Sequence, residues 1–112
     1  MKSDKVFLSH ILAEANFLIA RTQSLSLSKF AADDVLTRAC TRSVEVIGEA
    51  VKNLSPEFRK AHAHVEWQRI AGMRDRLIHS YFDVDQTILW DVIQHRVPEL
   101  KQHVEELLKS ER

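Results

Sequence analysis

Glycine and proline are scarce in this chain, with two of each in 112 residues. Sheet-rich folds with many tight turns use both freely. Their scarcity, beside long stretches of Ala, Leu, Glu, Lys and Arg, therefore points to an all-α protein. Cys40 is the single cysteine; this excludes an internal disulfide and fits a reducing, cytoplasmic setting. No apolar run approaches the ~20 residues that a membrane span requires. The opening stretch carries Asp4, His10 and Glu14 at helical spacing, unlike the uncharged core of a secretory signal. Neither sign of charge is in excess: 16 basic and 16 acidic residues give a formal net charge of zero. Bulk electrostatics therefore makes no case for a long nucleic-acid footprint. There is no HExxH spacing and no Cys/His pairing, and His62-x-His64 falls in an expected turn, so no metal site is expected. Without a glycine-rich phosphate loop, neither P-loop nucleotide binding nor a cofactor is expected.

What remains is a pattern of helical stripes. Hydrophobic content of 45% and charged content of 29% suit one globular domain over residues 1–112, long enough to bury a core unaided. A first helix is expected from about Asp4 to Thr22, with Leu8, Ile11, Leu12, Ala15, Leu18 and Ile19 facing inward. A serine-rich connection follows, then a second helix from about Phe30 or Asp33 to Leu54, with Asp33 as N-cap. Gly48 inside that helix costs roughly 1 kcal/mol relative to Ala, which suggests a close approach by another element. Ser55-Pro56 marks the start of a short helix to about Ala61. A third long helix is expected from about Trp67 to Tyr81. A last helix should run from Asp85 to about Lys109, with Asp83 and Gln86 capping it and a kink at Pro98. Trp67 and Trp90 are expected as core or interface anchors, and Cys40 as a small core residue. The architecture is a small antiparallel four- or five-helix up-and-down bundle.

Reactive side chains are densest in Arg74-Asp75-Arg76-Leu77-Ile78-His79-Ser80-Tyr81. Arg74 offers a permanent charge for phosphate, His79 a proton carrier near neutral pH, and Tyr81 a phenolic hydroxyl. The window ends the third long helix, where Asp75 and His79, four apart, form a neighbouring pair in which the carboxylate can hold the imidazole in one orientation. On the same helix Arg74 and Tyr81 share a side, whereas Arg74 and His79 are roughly 140° apart and about 7.5 Å along the axis. One straight helix cannot aim both at one atom, but two copies could flank a groove. Between Arg59 and His79, five basic residues face two acids, a local basic patch that reads equally as a small anion site or as a solvated helix face.

Gly48-Glu49-Ala50, Ser55-Pro56, Trp67-x-x-Ile70-Ala71-Gly72-Met73-Arg74-Asp75, His79-x-Tyr81 and Pro98-x-Leu100 occur in this order. Together they resemble the HepT-like branch of the HEPN (higher eukaryotes and prokaryotes nucleotide-binding) superfamily, from about Asp4 to Leu107. The resemblance implies a dimerising helical bundle that acts as a metal-independent endoribonuclease. It implies the toxin of a toxin–antitoxin module, partnered by a minimal nucleotidyltransferase antitoxin, with RNA as substrate. Carried onto this chain, Arg74 and His79 are the catalytic pair across a dimer cleft, Asp75 supports them, and Tyr81 is the acceptor of an AMP group that silences the nuclease. A non-catalytic helical module that serves as substrate-binding companion of a nucleotidyltransferase is the alternative.

Overall fold

In a computed structural model, residues 3–80 and 83–110 are described, residues 78–80 and 83 by their backbone course alone. Helices dominate. In chain order they are α1 (Asp4–Thr22), α2 (Leu27–Ala32), α3 (Asp34–Asn53), α4 (Pro56–Ala61), α5 (Trp67–Ala71), α6 (Met73–Leu77), α7 (Gln86–Asp91) and α8 (Val97–Ser110). A π-helical turn, Val92–Arg96, joins α7 to α8, and two short strands, β1 (Ile78–Ser80) and β2 (Asp83–Val84), lie between α6 and α7.

The central packing follows the predicted stripes. Leu8, Ile11, Ala15 and Leu18 of α1 are fully buried, four positions spaced to form one face, and that face lies between α3 and α8. Opposite it stand Cys40, Val44, Ile47 and Val51 of α3 and Val97, Leu100, Val104 and Leu107 of α8. Phe30 of α2 closes one end, with its ring 5.2 Å from that of Trp90 on α7. Trp67 is buried at the other, where its indole N–H donates to the His62 carbonyl at 3.0 Å. Trp67 is a core anchor, as expected, and Trp90 is partly buried and packs against the core.

Helix starts are set by side chains that accept from otherwise unpaired backbone amides. Asp33 accepts from Leu36 at 3.0 Å and Ser55 from Phe58 at 3.1 Å, both at predicted caps. Ser55 is itself held by Asp4: its amide and hydroxyl donate to the two carboxylate oxygens at 2.7 and 2.9 Å. The first turn of α1 is thereby tied to the first turn of α4.

Four expectations need correction. The serine-rich connection contains a separate helix, α2, because Ser26 accepts from the Lys29 amide and starts a turn. The long third helix is interrupted at Gly72 and ends at Leu77, where an antiparallel pair of strands begins. β-branched Ile78 and Val84 are register partners there, a residue class that favours strands. The carbonyl of Leu77 accepts from the Asp85 amide at 2.7 Å instead of continuing a helical ladder. Asp85, not Asp83, caps α7, accepting from the Ile88 amide at 3.0 Å. In the last helix the irregularity precedes Pro98: the Val97 amide donates to Val92, five residues back, one π turn before the ring that cannot donate.

Candidate functional site

Two glycines and two buried side chains place α6. At Gly48 of α3 an added Cβ would lie 3.2 Å from the Ala71 carbonyl oxygen, so a hydrogen there lets the end of α5 rest on α3. Gly72 then breaks the helix, and its carbonyl accepts from the Asp75 amide at 3.1 Å to start the next turn. Met73 and Leu77, four apart, are buried and fix α6 to the core. Arg74, Asp75 and Arg76 occupy the remaining, exposed arc.

Arg74 is oriented from the neighbouring helix. Its Nε donates to Oε2 of Glu45 on α3 at 3.1 Å, and one terminal nitrogen lies 3.5 Å from Oδ1 of Asp75. Its side chain is 47% exposed and that of Glu45 is 30% exposed. The guanidinium is thus flanked by two carboxylates, at Nε and at one terminal nitrogen, while about half of the side chain stays accessible to an anion. Sequence reasoning missed Glu45. A signal existed, because Glu45 lies one turn before Gly48 and therefore on the α3 face that meets α5 and α6.

His79 lies in β1, not on a helix. The helix expected through both Asp75 and His79 ends at Leu77, so the helical i, i+4 spacing and the roughly 140° separation of Arg74 and His79 do not apply. Asp75 is instead a neighbour of Arg74, with 79% of its side chain exposed. Arg74, Asp75 and the His79 backbone remain close in chain on α6 and the strand it feeds. Tyr81 lies outside the described residues.

The other candidates have structural roles. Cys40 is buried in α3, and burial, with a smaller contribution from the Asp33 carboxylate, pushes its thiol from 9.0 up to about 11. Such a thiol is a poor nucleophile. The His62 ring packs on Phe58 at 4.5 Å. Among the described residues no three His, Cys, Asp or Glu side chains converge as a metal site, and no helix is long and apolar enough to cross a membrane.

Known proteins match this chain along nearly its whole length. Residues 11–107 match the family model described as "Ribonuclease HepT-like". A provisionally named RNase of Caldanaerobacter subterraneus subsp. tengcongensis is 52% identical over the full length of both chains. A second provisionally named RNase, from Methanocaldococcus jannaschii, is 38% identical over 97% of this chain and 90% of its own. A Thermococcus cleftensis protein named "Probable ribonuclease HepT" is 35% identical over 96% of this chain and 98% of its own. No solved structure matches.

Proposed function

The chain belongs to the HepT-like ribonuclease family, and from that premise we propose that it is a metal-independent endoribonuclease acting through Arg74 and His79, the toxin of a toxin–antitoxin module. The observation that carries the assignment of the site is the Arg74–Glu45 contact. Glu45 fixes the direction of an arginine in the family motif and leaves it half exposed, and a phosphate clamp uses both properties.

The reaction follows from the side chains. A base takes the proton of a ribose 2′-hydroxyl, and the 2′ oxygen attacks the adjacent phosphorus. The bond to the 5′ oxygen then breaks as an acid protonates that oxygen, leaving a 2′,3′-cyclic phosphate and a free 5′-hydroxyl. His79 does the proton work near neutral pH, and in a homodimer the two copies supply one base and one acid. Arg74 stabilises the charge that builds on the phosphoryl oxygens. Asp75 supports the site from the flank of Arg74, 3.5 Å from its guanidinium. A nucleotidyltransferase antitoxin neutralises the chain when the Tyr81 hydroxyl oxygen attacks the α-phosphorus of ATP, losing its proton and releasing pyrophosphate. The tyrosyl-AMP puts a bulky anion in the sequence window of the clamp, where it competes with RNA phosphate.

The test is incubation of chelator-treated protein with RNA, reading for 2′,3′-cyclic phosphate ends. His79→Ala should lower the rate roughly 10²–10⁴-fold, and Arg74→Ala should do comparable damage. Undiminished cleavage by both variants would overturn the assignment. Tight complex formation with the antitoxin and no cleavage by the parent would favour the binding-module alternative. After co-expression with the nucleotidyltransferase, intact mass should rise by AMP increments; if they persist in Tyr81→Phe, the acceptor lies elsewhere.

A further inference from the structure

A pocket of about 50 Å³ opens between α5–α6 and the start of α8, and Arg69, Arg76 and Arg96 line it. We infer that this pocket is a second phosphate site, which takes a phosphodiester flanking the one cut at Arg74 and His79; it rests on the nuclease reading above.

Direction is the first argument. Arg74 and Arg76 are two residues apart on α6, so they leave the helix roughly 200° apart. Arg74 meets Glu45 of α3, while Arg76 meets the side facing α8. A strand laid across α6 encounters a guanidinium on each flank.

Charge is the second. Two acids also line the pocket, Glu66 and Glu99. Glu66 is taken up by Arg69 at 3.0 Å, and Glu99 stands 3.9 Å from Nε2 of His103. Arg76 and Arg96 have no ion pair among the described residues. Three arginines against two glutamates leave the lining with one positive charge in excess, and an anion shared by the Arg76 and Arg96 forks offsets it. The pocket wall also includes His103, whose Nδ1 is buried with no hydrogen-bond partner among the described residues. The ring stands edge-on to that of His64, 5.6 Å away, and its Nδ1 is left with a hydrogen-bonding position to offer a ligand.

Size chooses the ligand. At roughly 10–15 Å³ for each water-sized group, the volume admits three to five such groups. A tetrahedral phosphoryl group fits, and a nucleoside does not. Met73 and Leu100 form an apolar floor, which lowers the local dielectric and strengthens the charge-assisted bonds above it.

The experiment measures binding of a labelled single-stranded RNA to the full chain carrying His79→Ala, so that the RNA survives, across a salt series. Arg76→Gln/Arg96→Gln, both at exposed positions, should weaken binding roughly tenfold or more. It should also lower the salt slope by about 0.7, the contribution of one phosphate on a single strand. Arg76→Lys/Arg96→Lys should keep the slope and lose only part of the affinity, since charge survives and the fork does not. Unchanged affinity and slope in the Gln variant, with the parent binding RNA, would sink the pocket and leave the nuclease reading intact. If the parent binds no RNA at any salt, the nuclease reading fails first. Titration with inorganic phosphate, followed through the imidazole NMR signals of His64 and His103, then decides the pocket alone. Shifts that vanish in the Gln variant keep the phosphate site, and their absence in the parent ends it. Loss of antitoxin binding with RNA affinity retained would make the pocket a protein-docking site and overturn the proposal.

Discussion

Arg74 shows why stability and activity should separate at the scale of one residue. Its ion pair with Glu45 is half-exposed, and contacts of that kind contribute about 0–1 kcal/mol. Arg74→Ala should therefore move the melting temperature by only a few degrees while reducing cleavage at least about 10²-fold. Glu45→Gln keeps the shape of the carboxylate and removes its charge; we expect a smaller loss of rate, about tenfold, with the melting temperature again little changed. Equal loss of stability and rate would demote Glu45 to a packing residue. Cys40 supplies a pH test. With its thiol held up near 11 by burial, a disulfide reagent at mildly alkaline pH should react with it only as fast as the chain opens. Because the folded value lies above the ordinary 9.0, the thiol contributes stability that is fully present below about pH 9 and is lost as pH rises through 11. Denaturation midpoints across that range check the sign, and a Cys40→Ala variant should show a flatter profile.

Among the elements, the crossing of α3 and α5 decides where the motif sits. Gly48→Ala recovers up to about 1 kcal/mol of helix propensity against a contact at 3.2 Å that asks the Ala71 carbonyl to shift slightly, so the net change should be near zero. Gly48→Val adds branches that the carbonyl cannot clear, and a loss of about 1–3 kcal/mol is expected. Its cleavage rate should fall as well, because α5 leads directly into α6. Denaturant midpoints and rates measured together would check this, and a Val variant as stable and active as the parent would show that the contact is slack. The same region marks the limit of what could be read in advance. The apolar stripes of α1, α3 and α8 and the caps at Asp33 and Ser55 were legible, since periodicity and cap chemistry are local. The break at Leu77 was not, because the helical pattern of Trp67, Ile70 and Leu77 runs up to it unbroken. What ends the helix is a pairing of Ile78 with Val84 and of Leu77 with Asp85, which a helical period does not encode.

At the scale of the whole molecule, a neutral chain with principal extents of 41 × 28 × 24 Å keeps its cations local. Arg74 could be singled out from its motif, but the meeting of Arg76 with Arg96 could not. They lie on α6 and on the π turn before α8, and only the fold brings both to the wall of one pocket. The dimer proposed for catalysis has its own test. Light scattering should give a two-chain mass, and titrating His79→Ala subunits into the parent should depress cleavage more steeply than simple dilution. A monomer that cleaves at the parent rate would remove the shared cleft.

The hydrogen bond between the Leu77 carbonyl and the Asp85 amide closes the base of the excursion that holds His79. Both posts of that base are set by the bundle, Leu77 by burial and Asp85 by capping α7. Closing a longer span between fixed posts costs little, about 0.6 kcal/mol for each doubling of length. The segment can therefore be treated as an interchangeable cassette: foreign sequences grafted between the posts should leave the scaffold folded while replacing its chemistry.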